Sequence, residues 1–328
     1  MVLTDLINAV TYPTYKTAST GATTRPQTSP ASTCKDGDEN SKSEPPLGQV
    51  FTSNVFGHYL LCHSLIPLLS MSPDQGRIVF TSSIEPLASH FSGDDIQALK
   101  SEKAYESSKR LTDILALTST LPSTKPFVQR YLSAYSSPRS QSINLLDNEQ
   151  SGSGTSTPSQ RITLADNQYK PPTSSSPQIY LAHPGICATS FIPLPLILYY
   201  LMEMCFYMAR WCGSPWHTIS AYKGAVAPVW LALAEKEELE DIEQREGKGK
   251  WGSACDAMGY ERVMRTVVED WGLGGRMGEE ELSKRKGTRK GIKEVTRENR
   301  EGFEELGREC WRQMEDLRVM WEQRLNGE

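Results

Sequence analysis

Tyr105 and Lys109 stand four positions apart in "KAYESSKRLTDIL" (103–115), with Ser107 and Ser108 between them. On a helix, residues i and i+4 share a face, with Cβ atoms about 5–6 Å apart. That spacing sets a phenol beside an ammonium. A phenol titrating near pH 10 carries protons poorly at neutral pH, and a fixed positive charge nearby favours the phenolate and lowers that value. A tyrosine so placed suits delivery of a proton to a carbonyl oxygen while hydride reaches the carbon. The plain alternative is a surface lysine beside a half-buried tyrosine. The pair therefore gains weight only from the elements around it.

Those elements follow from the hydrophobic pattern. In "GQVFTSNVFGHYLLCHSLIPLLS" (48–70) apolar residues recur at roughly helical spacing, with Pro67 near the end where a stop is tolerated. "SPDQG" (72–76) reads as a turn, and "RIVFTS" (77–82) as a short buried strand. "SGDDIQAL" (92–99) is a short helix candidate with Ser92 at the N-cap and acids in its first turn. The Tyr105–Lys109 helix spans about 102–120 and stops before Pro122. "QIYLAHPG" (178–185) is a second apolar strand ending abruptly at Pro184 and Gly185. A further helix is expected in 217–234, then a solvated charge run, "EKEELEDIEQREGKGK". From about 289 onward, Phe303, Leu306, Cys310, Met314 and Leu317 step by three and four, the pattern of an amphipathic helix packing on its own domain.

Two tracts lack the apolar residues that offset ordering entropy: 17–47, rich in Ser, Thr and Pro, and 122–177, with "EQSGSGTSTPSQ". The expected organisation is a mostly disordered segment over 1–47, a partial domain over 48–121 and 178–275, a low-complexity insertion over 122–177 and a charged helical tail over 276–328. "FIPLPLILYYLMEMCFYMARWC" (191–212) is the most hydrophobic stretch, interrupted by Glu203 and two prolines. It falls short of a clean spanning helix and reads as membrane-surface or substrate-lining, with a buried helix as the alternative.

Composition narrows the function classes. The net charge of −5 gives no basic surplus for nucleic acid. Seven cysteines, odd in number and without a CxxC, read as free thiols in a reducing compartment. Five histidines do not fall at zinc-ligand spacing with the cysteines, so no metal site is expected. The N-terminus has neither a positive start nor a long apolar core, so it does not read as a secretory signal.

The order "NVFGHYLL", "GRIVFTSS", "YESSK", "HPG" resembles the C-terminal half of the short-chain dehydrogenase/reductase superfamily. Within it, "EPPLGQVFTSNVFGHYLL", "TSSIEP" and "YESSKRLTDIL" are similar to the 3-keto-steroid reductases of fungal sterol C-4 demethylation. The resemblance implies an α/β fold, the C-terminal part of a Rossmann-like doubly wound parallel sheet, with long disordered insertions and a helical C-terminal tail. It implies NADPH-dependent reduction of a sterol ketone. Tyr105 would donate the proton, and Lys109 would hold the nicotinamide ribose and depress the tyrosine pKa. Ser83 would orient the substrate carbonyl, and Asn54 would hold a water linking Lys109 to solvent. Pro184 and Gly185 would bring backbone to the nicotinamide, with Thr189 a carboxamide partner. Ser92, 13 positions before Tyr105, is the alternative serine. Ser83 is preferred because a strand end fixes a side chain better than a loop does.

The resemblance also implies residence at the endoplasmic reticulum membrane or lipid droplet surface, cytosolic face, with other C-4 demethylation components. The superfamily's cofactor half, a strand, a Gly-rich turn and a helix, has no match in 1–47, and "GLGGRMG" (272–278) comes after no apolar strand. The expectation is a reductase truncated at its N-terminus, with open edges on strands 77–82 and 178–183. The competing expectation is a non-catalytic remnant or membrane-associated scaffold that binds no nucleotide.

Overall fold

The computed structural model describes residues 20–24, 46–72, 74–84, 86–133, 176–189, 194–275 and 295–325. Most of the expected N-terminal segment, the insertion from 134 to 175 and the start of the tail lie outside these residues.

A four-stranded sheet organises the chain, in the order β1 (Arg77–Thr81), β2 (Gln178–His183), β3 (Lys250–Cys255), β4 (Glu261–Thr266). The first two pairings are parallel, starting at Arg77↔Gln178 and Leu181↔Lys250, and the last is antiparallel. β2 shows why both faces must be covered. Ile179 and Leu181 enter one core, Tyr180 and Ala182 the other, as period-two alternation requires. With β1 on one side and β3 on the other, β2 is interior, so only β1 of the two expected open edges is open among the described residues.

On the first face lies one helical run broken in its middle. α1 (Gln49–Phe51) passes through a π-helical turn, Thr52–Phe56, into α2 (Gly57–Leu69). α3 (Ala104–Thr118) carries the Tyr–Lys pair and buries Leu111, Ile114, Leu115 and Leu117. α4 (Lys125–Leu132) falls within the segment read as insertion. It buries Val128 and Tyr131, and Tyr131 stacks on Tyr59 at 4.0 Å between centroids. Two good apolar residues on one turn were enough to dock it despite polar neighbours.

α5 (Leu196–Trp211), α6 (Ala221–Gly224), α7 (Val226–Leu233) and α8 (Lys236–Glu246) come after β2. α7 covers the second face with Ala227 and Leu231. The charge run expected to be solvated is α8, anchored by buried Leu239. The 92–99 segment forms only a 3₁₀ turn, Gly93–Asp95, and Ser92 makes no side-chain cap bond. Asp95 takes the capping role instead, accepting from the Leu99 and Lys100 N–H groups at 3.0 and 2.7 Å.

α9 (Arg297–Leu325) closes the first core with Phe303, Cys310, Trp311, Met314 and Trp321. It lies close on α3, because a Cβ at Gly307 would meet the Thr118 side chain at 2.5 Å. No described helix is long and apolar enough to cross a membrane.

Candidate active site

The chemistry-bearing residues collect at the carboxyl end of β1. α3 starts there and turns Tyr105 and Lys109 to one face, with the Lys109 ammonium 5.7 Å from the Tyr105 ring centroid. The strand delivers Ser83 just beyond Thr81, near enough to the Tyr105 phenol for its hydroxyl to lower that group's pKa. Ser92 is exposed and flanks a 3₁₀ turn. The structure thus brings Ser83, not Ser92, to the phenol.

Lys109 Nζ donates to the Thr81 carbonyl at 3.0 Å. That bond holds the ammonium against the strand end. The phenol itself is pushed up, first by burial and then by the Glu106 carboxylate, while the Ser83 hydroxyl pulls it down. The expected depression of the tyrosine by Lys109 is therefore not what this arrangement gives. The lysine is itself pulled down by burial, raised by Asp113 and lowered again by Lys250.

Asn54 sits inside the π-helical turn, where one extra residue re-aims a helix face. Its Nδ2 donates to Ser108 Oγ at 3.1 Å, and Ser108 Oγ donates to the Tyr105 carbonyl at 2.7 Å. Asn54 is thereby tied to the turn that carries the phenol. Asn54 and Lys109 also line one open cavity of about 400 Å³.

Pro184 and Gly185 end β2 next to this region of the sheet. Gly185 has φ +74°, and a Cβ there would meet the Trp216 carbonyl at 2.6 Å, so only glycine fits. The turn is held from behind. Thr218 Oγ1 donates to the Pro184 carbonyl at 3.0 Å, and His183 Nδ1 accepts from the Gly185 N–H at 3.1 Å. His183 Nε2–H then donates to Thr266 Oγ1 at 2.6 Å, which fixes the neutral tautomer. Thr189 is exposed, two residues beyond the Cys187–Ile219 bridge.

Sequence reasoning missed the support behind Lys109. Asp113 extends the same four-residue row, Tyr105–Lys109–Asp113, and is fully buried. Lys250 of β3, equally buried, meets it at 2.7 Å. The row was visible in the sequence; its lysine partner 137 positions away was not. His183 and Thr218 likewise carried no local signal.

The chain is 41% identical over 335 residues to a protein named 3-keto-steroid reductase of Aspergillus fumigatus, covering 99% of this chain and 67% of that protein. A 3-keto-steroid reductase of Gibberella zeae is 35% identical over 337 residues, covering 98% and 62%. One from Schizosaccharomyces pombe is 31% identical over 229 residues, covering 69% and 50%. The chain thus spans two thirds or less of the length of these relatives. No family model and no solved structure matches it.

Proposed function

Because the chain belongs to the 3-keto-steroid reductase family, we propose that it carries the proton-donor side of a reductase converting a 3-keto sterol to the 3-hydroxy sterol, in the C-4 demethylation stage of ergosterol-type synthesis. NADPH supplies the hydride when bound. The observation that carries this reading is the Lys109 ammonium 5.7 Å from the Tyr105 ring and bonded to the strand-end carbonyl of Thr81, two residues before Ser83.

In that role Ser83 hydrogen-bonds the substrate carbonyl oxygen and Tyr105 gives it a proton. A phenol held up by burial stays protonated until the oxygen develops charge, which suits an acid. Lys109 has ammonium hydrogens beyond the one on Thr81 for ribose hydroxyls, and Asn54 lines the same cavity, where it would hold a water that returns the proton. The Gly185 turn offers backbone to a nicotinamide ring, and Thr189 a partner to its carboxamide. On this reading these residues would serve the nicotinamide-ribose end. Among the described residues no glycine-rich turn joins a strand to a helix for the pyrophosphate, which is the observation favouring the second reading, a scaffold that binds no nucleotide.

The reading extends to place. α5 turns Leu196, Ile197, Tyr200, Met204, Met208 and Trp211 outward, while Arg210 is buried on the His217 and Thr218 carbonyls. An uncharged face rimmed by Tyr and Trp suits the surface of the endoplasmic reticulum membrane or a lipid droplet, where a sterol ketone and other C-4 demethylation components would be met.

The test is a chimera in which this chain replaces the matched stretch of the Aspergillus fumigatus relative. It is expected to oxidise NADPH in the presence of a 3-keto sterol, with Tyr105→Phe losing at least about 100-fold in kcat while NADPH still binds. A chimera that turns over equally well with phenylalanine at 105 would remove Tyr105 from the mechanism. A chimera that quenches no NADPH fluorescence would favour the scaffold.

A further inference from the structure

Burial sorts the cysteines of the described residues into two groups. Cys255 and Cys310 are buried, and burial pushes the Cys310 thiol up to about 12. Cys62 is partly buried and raised in the same way, and Cys187 Sγ lies 3.3 Å from Thr218 Oγ1. The two exposed thiols, Cys205 and Cys212, belong to one element, α5 and its C-cap.

Their spacing sets them together. Seven residues make close to two helical turns, so the two side chains leave the axis within about 20° of each other. They stand about 10 Å apart along it, too far for a disulfide between them. Leu201 lies one turn before Cys205 and Met208 one turn before Cys212, and both are exposed. No exposed residue of α5 carries a charge. Helical periodicity puts Glu203 at the opposite margin of the outward face from the thiols. Arg210, the basic residue of this helix, is buried on the His217 and Thr218 carbonyls.

An outward helix face with no charge suits hydrocarbon, whereas contact with a protein partner carries a polar rim. A helix lying in a bilayer surface is held by apolar burial and by attraction of basic residues to anionic headgroups. α5 supplies the first signal and lacks the second. Covalent acyl chains are the other common second signal, and cysteines on an amphipathic helix are where reversible acylation through sulfur takes place. Thiols at the margin of the buried face stand at the headgroup boundary, where an amphiphilic acyl donor partitions.

We propose that Cys205 and Cys212 carry long-chain fatty acyl groups in thioester linkage, which fasten α5 to a lipid surface. Each sulfur attacks the carbonyl carbon of a fatty acyl thioester. A new carbon–sulfur bond forms as the donor's carbon–sulfur bond breaks, and the cysteine proton leaves with the donor's thiol. Nothing is oxidised or reduced. Hydrolysis of the new thioester returns the free cysteine, so the attachment is reversible. The proposal rests on the membrane-surface reading of α5 and is independent of catalysis at Tyr105.

The test produces the full chain in Schizosaccharomyces pombe cells fed an alkyne analogue of palmitate, and in bacteria as the unacylated form. Label is expected on the chain from S. pombe, released by neutral hydroxylamine and mapped by peptide mass spectrometry to Cys205 and Cys212. Cys205→Ser and Cys212→Ser should each remove about half of it, and the double variant should lose it at least about tenfold. With phosphatidylcholine vesicles, flotation of the labelled chain should exceed that of the double variant at least about tenfold, with melting curves unchanged. No hydroxylamine-labile label, label that survives the double substitution, or label confined to other cysteines would each overturn the proposal. The bacterial chain tests the surface reading by itself: weak flotation, lost in Met204→Glu, is expected. Weak flotation with no label from S. pombe would sink the acylation and keep the surface reading. A concentration-dependent dimer that Met204→Glu breaks, without flotation, would give this face to a second copy and overturn both.

Discussion

α3 faces two kinds of surroundings. Behind it, α9 completes the packing. Trp311 Nε1 donates to the Leu115 carbonyl at 3.1 Å, and Gly307 lets the helices touch. The buried Glu315 carboxylate is gripped by Arg318 at 2.9 and 2.8 Å and takes the Tyr59 hydroxyl at 2.7 Å. In front, the same helix presents Lys109 and Thr112 to an open cavity, and Asp113 Oδ1 is buried without a hydrogen-bond partner. The chain thus holds its stability on one side of α3 and its reactive groups on the other. The two can be perturbed separately.

The largest break in that division is Trp311→Ala. Emptying the α3–α9 interface is expected to cost about 4 kcal/mol in urea unfolding. In the chimera, any folded fraction should keep its dependence on Tyr105. Lys250→Met comes next, at about 3 kcal/mol, because it strands the Asp113 carboxylate in the interior. The double variant Asp113→Leu with Lys250→Met should recover most of that loss, since an apolar pair replaces a buried ionic one. If the double variant is no better than the single, the pair is not an isolated ionic contact.

The smallest effect is graded with pH. His183 is held well below the usual histidine range, by burial first and then by Lys250. Its folded value is depressed, so between that value and about 6.5 the unfolded chain takes a proton that the native chain refuses. Stability should be complete above pH about 6.5 and decline below it, and His183→Gln should flatten the decline. A wild-type curve with no slope below pH about 6 would mean that His183 is protonated in the fold.

The parts of the molecule legible in the sequence were local. A four-residue spacing places Tyr105 and Lys109 on one face wherever a helix forms, and "RIVFTS" and "QIYLAH" carry enough β-branched and apolar character to be strands. β3 and β4 were not legible. "KWGSAC" begins with a lysine whose burial depends on its pairing with Asp113, and "ERVMRT" carries three charged residues in six on a strand that is paired on one side only among the described residues. α8 looked solvated because a single leucine docks it. The tyrosine's direction of shift was misjudged for a similar reason: spacing shows that Lys109 is near, whereas the burial that raises the phenol is a fact of the tertiary fold.

The contact between Tyr59 and Glu315 joins positions 256 apart. On a ribosome, the first helical run emerges long before α9 exists to cover it, so its apolar flank waits through most of synthesis. Closure over such a separation is slow, and the exposed intermediate is prone to stick to its neighbours. A cell making this chain therefore has reason to shelter it until the last helix is released.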